Sequence, residues 1–226
     1  MSGFQYKDMN FEQALRTIRN CLHSYKPVRL TVNGARQASV LILLTEKAMI
    51  PHLLFTRRTE FVEHHKGQIS FPGGMKDSTD ETLLQTALRE TYEEVGISPE
   101  KVEVLGQLDD LYTVTNFLVT PFAAVLKQSV PFRVNSREVD EVLEVPLSLF
   151  LDDKYFEMKK REYQGRKYDV YFYYYRDQVI WGATAFILNR FIQLVFGYNP
   201  APNPVYQDPR NEEYLRENQV RGSKRD

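Results

Sequence analysis

The chain has 226 residues, 42% of them hydrophobic, so it can bury a full core and is most simply one domain with appendages. Its formal net charge of -1 gives no electrostatic reason to expect nucleic acid or an anionic membrane as partner, which favours a small soluble ligand. The single Cys21 excludes an intrachain disulfide framework, and the polar start lacks signal-peptide features, so we expect a reducing cytoplasm.

The order of helical and strand-like segments predicts an α/β fold. Apolar periodicity predicts a first helix over 9–25, which Pro27 ends. Apolar and β-branched runs predict strands near 38–45, 52–58, 67–71, 102–109 and 118–127, with a helix between the third and fourth. A helical turn at 147–151, a hairpin of 155–163 and 168–176 around Gln164-Gly165, and a closing helix over 183–196 complete the order. This order suits an α/β/α sandwich.

The same patterns predict a division of the chain into 1–37, an N-terminal helix and lead-in; 38–197, the main domain; and 198–226, a polar tail in which prolines block regular structure. The apolar stretch 179–196 is interrupted by polar residues and therefore predicts a packed helix rather than a membrane span. Alternating tyrosines in 168–175 favour strand packing or a subunit interface over ligand stacking, and we expect Trp181 in the core.

Residues 73–97, GGMKDSTDETLLQTALRETYEEVGI, carry the chemistry. Glu90, Glu93 and Glu94 lie at i, i+3 and i+4, so they share one face of a helix and repel one another unless a cation sits between them. Because only oxygen ligands are present, the spacing favours Mg²⁺ or Mn²⁺. A solvated acidic face is the alternative interpretation.

Other features of this segment favour the metal site over the solvated face. Leu84, Leu88 and Val95 occupy the opposite face of the helix, so one side packs against a core. A Gly-Gly turn precedes the helix, Gly96 suits its C-terminus, and Ser78 with Glu81 predicts a capping box at its start.

This segment resembles the Nudix box: Gly, five residues, Glu, seven residues, Arg-Glu, an apolar residue, one residue, Glu-Glu, one residue, Gly and an apolar residue. Anchored on Arg89-Glu90, the chain matches it at Glu81, Glu93, Glu94, Gly96 and Ile97. It departs from the pattern twice. Six residues rather than five separate Gly74 from Glu81, and Thr91 stands at a position that is usually apolar.

Three further segments resemble the coenzyme A pyrophosphatase branch of the Nudix hydrolase superfamily. They are LFTRRTEFVEHHKGQISFPGG at 54–74, EVDEVLEVPLSLF at 138–150 and IWGATAFIL at 180–188. The one-residue expansion of the box also occurs in this branch, and together the matches span roughly 38–197. Glu63 stands where the branch signature has an arginine, which weakens the case for a substrate as rich in phosphate as coenzyme A.

The resemblance implies a Nudix fold with a mixed sheet and hydrolysis of a diphosphate linkage that depends on Mg²⁺ or Mn²⁺. Glu90 and Glu94 would be the principal metal ligands, and Glu93 a further ligand or the group that orients or deprotonates water. Arg89 would position a helix carboxylate through a salt bridge. Gly73 and Gly74 would let the backbone pass close to the metal.

For the substrate, the resemblance implies coenzyme A or a CoA derivative, with 3',5'-ADP and a 4'-phosphopantetheine species as products, and a possible homodimer. Arg57, Arg58 and Lys66 are candidates for phosphate contacts, although all three side chains could equally be solvated. His65 is a further candidate, and His64 is expected at the surface. Two alternatives stay open: another nucleoside diphosphate derivative such as ADP-ribose, which Glu63 favours, and a non-catalytic sensor, which the intact glutamates oppose.

Overall fold

The computed structural model describes residues 8–59, 67–163, 165–200 and 221–222. The helices in this part of the chain are α1 (Phe11–His23), α2 (Leu83–Val95) and α3 (Gly182–Phe196). The strands are β1 (Leu30–Thr31), β2 (Arg36–Lys47), β3 (Ile50–Arg58), β4 (Ile69–Ser70), β5 (Gly73–Met75), β6 (Val102–Gln107), β7 (Leu111–Tyr112), β8 (Phe117–Leu126), β9 (Val139–Pro146), β10 (Phe156–Tyr163), β11 (Arg166–Tyr175), β12 (Gln178–Trp181) and β13 (Arg221–Gly222). Short 3-10 turns lie at Pro99–Lys101, Leu147–Leu151 and Asp153–Tyr155.

An eight-stranded mixed sheet is the centre of the molecule. Its main path runs β4-β3-β2-β8-β6, while β5 pairs with β2, β7 with β8, and β9 with β3. Only β2 and β8 run parallel among these described pairs; the other pairs are antiparallel. A second, three-stranded sheet has the order β10-β11-β12.

The side chains of β2 alternate between the two faces of the central sheet, and this alternation positions the helices. Leu41 and Leu43 pack in the same cluster as Ala87 and Val95 of α2. Their neighbours Ile42 and Leu44 belong to the opposite cluster, which includes buried residues of α1 and α3. Because α2 covers one face and α1 with α3 the other, the predicted α/β/α sandwich with N-terminal and C-terminal helices is confirmed.

The first helix shows how local sequence fixes an element boundary. Asn10 accepts a hydrogen bond from the Gln13 backbone N–H, and the Gln13 side chain accepts one from the Asn10 N–H, which forms a reciprocal cap. The buried face of α1 carries Phe11, Leu15 and Ile18. Within the described residues, none of the helices is long and apolar enough to cross a bilayer.

The hairpin of β10 and β11 is confirmed, since Tyr163 pairs with Arg166 across the expected Gln164-Gly165 turn. Packing is also confirmed for two of its tyrosines: Tyr171 and Tyr173 are buried against phenylalanines of the core. The expectation for Trp181 is wrong, because its side chain is 44% exposed and stacks on Phe172, on the face of the three-stranded sheet opposite the buried Tyr171 and Tyr173.

Several strands differ from the sequence prediction. The five predicted strands of the central sheet are present as β2, β3, β4, β6 and β8, but β5, β7 and β9 were not anticipated. Residues 178–181 form β12 before α3 begins, so the apolar stretch starts as a strand rather than a helix. In the expected irregular tail, Arg221–Gly222 pairs with β1. The division of the chain at 37 and 197 stays a prediction.

Candidate active site

The helix α2 begins later than the sequence suggested. Thr82 is its N-cap and accepts a hydrogen bond from the Gln85 backbone N–H at 3.1 Å. The predicted Ser78–Glu81 capping box is therefore wrong. Its physical reason is Asp77, whose Oδ1 accepts hydrogen bonds from the Ser78 hydroxyl and from Thr79, which closes a local turn before the helix.

Three glutamates of α2 occupy different environments. Glu94 is 2% exposed and its Oε2 accepts a hydrogen bond from the Gly73 backbone N–H at 3.2 Å. The Glu90 side chain is largely buried. Glu93 lies at the edge, with 50% of its side chain exposed. The helix therefore presents two buried carboxylates one turn apart and a third that faces solvent.

The strand β5 brings two glycines against these carboxylates. The sequence predicted a Gly-Gly turn, but Gly73 and Gly74 pair with Val40 and Ser39 of β2 and so form part of the sheet. Gly73 has a φ of 149°, and a Cβ there would lie 2.3 Å from the Ser39 carbonyl oxygen. A Cβ on Gly74 would lie 2.5 Å from Cδ of Glu90. Only glycine lets the strand lie this close to α2.

Arg89 links the carboxylates to the segment that precedes the helix. Its Nη1 donates to Glu90 Oε1 and to Glu93 Oε2, each at 2.9 Å. Its Nε and Nη2 donate to the two oxygens of Asp80, at 3.0 and 2.9 Å. The hydrogen bonds with Asp80, followed by the charge of Glu90, raise the pKa of Arg89 although burial opposes this, so the guanidinium stays charged.

Burial controls the electrostatics of the pair Glu90 and Glu94. It raises the pKa of Glu94 to about 8, although the Gly73 hydrogen bond and the charge of Arg58 oppose the rise. Burial also raises the pKa of Glu90, against the lowering effect of Arg89. Two desolvated carboxylates on one helix face favour a bound cation, which would offset both their burial and their mutual repulsion.

Glu138 is a member of this neighbourhood that sequence reasoning missed. Its negative charge raises the pKa of both Glu90 and Glu94. Backbone hydrogen bonds bring it there, because the Asn135 N–H donates to the Glu94 carbonyl and the Glu138 N–H donates to the Asn135 carbonyl. In the sequence, the signal for Glu138 is its place as the first residue of the segment 138–150.

Two of the three glutamates, rather than all three, are placed to bind a hard divalent cation. Glu90 and Glu94 lie against the same Gly73–Gly74 backbone and offer only oxygen atoms, which Mg²⁺ and Mn²⁺ prefer. Among the described residues, no group of three acidic, histidine or cysteine side chains is arranged to hold a metal. The expected convergence of all three glutamates is therefore incomplete, because Glu93 turns to Arg89.

A cavity of about 410 Å³ lies beside the two glycines. Its wall combines the central sheet with the three-stranded sheet, and most of it is apolar or aromatic, including Ile69, Phe71, Leu111, Tyr168, Val170 and Trp181. Charged groups in the wall are Arg58, Arg161 and Asp169. The Arg58 Nε makes no hydrogen bond to any described side chain or backbone atom. An anion at the glycines with an uncharged extension would fit this wall.

The remaining candidate residues are placed unequally. Arg57 forms salt bridges with Asp140 at 2.6 Å and Glu141 at 3.1 Å, whereas Arg58 lines the cavity. The phosphate contacts expected for Arg57 and Arg58 stay predictions. His65 and Lys66, together with Glu63 and His64, lie outside the described residues.

Comparisons with known proteins give matches over more than half of the chain. A family model described as NUDIX domain matches residues 35–178, which is more than half of the chain. The chain is 41% identical over 169 residues to the Nudix hydrolase NudL of Photorhabdus laumondii, covering 75% of this chain and 89% of the relative. It is 37% identical to NudL of Citrobacter koseri over 193 residues, covering 84% of this chain and the whole relative.

The chain is also similar to a solved structure, the NUDIX domain of Shewanella oneidensis NrtR complexed with ADP ribose. That structure aligns with a TM-score of 0.42 and 20% identity, covering 62% of this chain and 85% of the other. A C. elegans Ap4A hydrolase binary complex aligns with a TM-score of 0.42 and 20% identity, covering 50% of this chain and 80% of the other.

Proposed function

This chain belongs to the Nudix family, and we propose that it hydrolyses the diphosphate linkage of coenzyme A or a CoA derivative with bound Mg²⁺ or Mn²⁺. It is a Nudix hydrolase that acts on nucleoside diphosphate derivatives; the substrate and the metal are the proposed part. One observation carries the proposal. The buried carboxylates Glu90 and Glu94 lie against Gly73 and Gly74, and the same glycines line the 410 Å³ cavity.

Each residue of the site has a role in this proposal. A divalent ion held here would neutralise charge on the diphosphate and make water a better nucleophile. Glu90 and Glu94 would hold that ion, with Glu93 as a further ligand or the group that orients or deprotonates the water. Arg89 fixes Glu90 and Glu93 through its Nη1. Arg58, in the cavity wall, would contact a phosphate oxygen.

The residues that line the cavity support a CoA-like substrate. The pantetheine arm is long and uncharged, and most of the described wall beyond the glycines is apolar or aromatic. Hydrolysis would then give 3',5'-ADP and a 4'-phosphopantetheine species. Lys66 would add a phosphate contact, and His65 would bind the substrate.

A second candidate substrate is another nucleoside diphosphate derivative such as ADP-ribose. Glu63 favours it, because an anion replaces the arginine of the CoA branch and would repel an additional phosphate. A non-catalytic sensor, the third alternative from the sequence, is opposed by the buried acids at the glycines, which such a module does not need.

A substrate panel tests the assignment. Purified protein is incubated with coenzyme A, an acyl-CoA, ADP-ribose, a dinucleoside polyphosphate and a nucleotide sugar, with and without Mg²⁺ or Mn²⁺. We expect metal-dependent release of a phosphopantetheine species at the highest kcat/KM. Faster turnover of another compound, without such release, would reject coenzyme A and retain the diphosphatase. No turnover of any compound would favour the sensor.

Variants separate the candidates further. Glu63→Arg should raise kcat/KM for coenzyme A relative to ADP-ribose if Glu63 opposes the extra phosphate of CoA. An unchanged ratio shows that Glu63 does not discriminate. Glu90→Gln should abolish turnover while the fold and substrate affinity persist, and equal turnover in this variant would contradict a catalytic role.

A further inference from the structure

The acid that anchors Arg89 differs from the one that the family pattern marks. The pattern marks Glu81, which is separated from Arg89 by seven residues. Glu81 is exposed, and within the described part of the chain only its backbone N–H forms a hydrogen bond, to Gln85 Oε1. Its carboxylate therefore has no structural connection with the guanidinium.

Asp80 has that connection. Its side chain is only 2% exposed and receives two parallel hydrogen bonds from Arg89, through Nε at 3.0 Å and Nη2 at 2.9 Å. The Thr86 hydroxyl and the Asp77 backbone N–H also donate to Asp80 Oδ2, each at 2.9 Å. The hydrogen bonds from Arg89 are the main cause that holds the pKa of Asp80 far below its usual range. This carboxylate is charged and buried, and both of its oxygens accept hydrogen bonds.

The position of Asp80 explains the expanded motif. Five residues separate Gly74 from Asp80, as the general pattern requires for its first acid, and eight rather than seven separate Asp80 from Arg89. The extra residue therefore lies after the functional acid, and Thr82 then caps the helix. Counting from Arg89 identifies Glu81, whereas counting from Gly74 identifies Asp80.

We propose that Asp80 is a positioning residue that acts on Glu90 and Glu93 through Arg89, an inference that rests on the proposed metal-dependent function. Nε and Nη2 of Arg89 donate to Asp80, so Glu90 and Glu93 both accept from the remaining nitrogen, Nη1. One oxygen of each glutamate then has no hydrogen bond from the described residues and is available for a cation. Without Asp80, Arg89 can form full ion pairs with these glutamates and compete with the metal.

The test measures Mn²⁺ binding to the metal-free full-length protein by electron paramagnetic resonance, which does not depend on turnover. Asp80→Asn is nearly isosteric and should weaken Mn²⁺ binding about 10-fold. The matched control Glu81→Gln should change it by less than about twofold, because an exposed charge contributes little. In assays, Asp80→Asn should raise the metal concentration needed for half-maximal rate more than the substrate KM.

Other outcomes would overturn the inference. One is equal Mn²⁺ affinity in wild type and Asp80→Asn, even with a lower Tm, since that pattern belongs to a purely structural residue. Another is a loss of affinity in Glu81→Gln as large as that in Asp80→Asn. If the wild type itself binds no Mn²⁺, the proposed function fails, which is a separate result.

A second measurement remains informative if Asp80→Asn does not fold. The Nε–H proton of Arg89, assigned in NMR spectra by its disappearance in Arg89→Lys, should exchange slowly with solvent in the wild type and keep its chemical shift in Glu81→Gln. Fast exchange in the wild type, or a shift in Glu81→Gln, would show that Asp80 is not the partner.

Discussion

The substitution Gly74→Ala tests the close approach of β5 to α2. An added Cβ would lie 2.5 Å from Glu90 Cδ and 2.6 Å from each carboxylate oxygen, whereas ordinary contacts begin at 3.4 Å. The Glu90 carboxylate or the strand must therefore move by about 1 Å, and a misplacement of that size can reduce a rate about 100-fold. The backbone of β5 is paired with β2 on its other side, so most of the displacement should fall on Glu90.

The assay combines initial rates at saturating metal with Mn²⁺ affinity of the metal-free protein. We expect kcat to fall about 100-fold and Mn²⁺ affinity about 10-fold, because Glu90 no longer presents its oxygens correctly. The free energy of unfolding should fall by no more than about 1 kcal/mol, because the displaced atoms are the end of a flexible side chain.

Gly106→Ala is the matched control. Its added Cβ would lie 2.9 Å from Leu22 Cβ, a milder steric conflict that involves α1 and not the candidate site. We expect a lower Tm with Mn²⁺ affinity and kcat per folded molecule unchanged. If Gly74→Ala keeps wild-type kcat and Mn²⁺ affinity, the contact between Gly74 and Glu90 has no functional consequence and the argument from geometry is refuted.

Three further substitutions test separate parts of the account. Thr91→Val should retain activity and change stability by less than about 1 kcal/mol, because the buried Thr91 hydroxyl only donates to the Ala87 carbonyl of its own helix at 2.7 Å; a large loss of kcat would contradict this. In the metal-free protein, burial raises the pKa of Glu94 from 4.5 to about 8, so the folded state binds this proton more tightly than the unfolded chain and stability should fall as pH rises through that interval. Glu94→Gln should flatten the decline in denaturant titrations at several pH values, and an equal decline in the variant would show that Glu94 is not its source. Trp181→Ala should raise the KM for a CoA substrate several-fold with little effect on kcat, because Trp181 lines the cavity from β12 whereas the glutamates belong to α2; a reduced kcat at unchanged KM would place Trp181 elsewhere in the mechanism.

The elements that sequence predicted well have a strong local signal. The strands β2 and β8 are long apolar runs, and their alternation between two helix layers is visible in residues such as Leu41 and Ile42. The helix α2 was recognised from its acids and its opposite apolar face. Its end was correct, since Gly96 is a left-handed C-cap with φ of 73°.

The missed elements depend on tertiary contacts. The strand β5 has only three residues, two of them glycines, and exists because it pairs with β2. The strand β9 contains three acids, yet Val139, Leu143 and Val145 are buried, so the period-two signal was present but was not interpreted as a strand. For β12, a short apolar run directly before a helix has no local feature that separates the two elements.

In the candidate site, sequence identified the residue types better than their partners. The shared face of Glu90 and Glu94 follows from helical spacing, but the outward turn of Glu93 depends on Arg89. Counting residues favoured Glu81, whereas the loop from Asp77 to Thr82 buries Asp80 instead. The sequence predicts Trp181 in the core, but the register of β12 places it beside Phe172, on the face opposite the buried Tyr173.

The most direct test of the central claim is a crystal soaked in Mn²⁺ and measured by anomalous diffraction. The account predicts a peak within coordination distance of the carboxylate oxygens of Glu90 and Glu94, next to Gly73 and Gly74, and the loss of that peak in a Glu90→Gln crystal. The account is contradicted if crystals of protein that hydrolyses its substrate, soaked in saturating Mn²⁺, show no anomalous peak at these carboxylates.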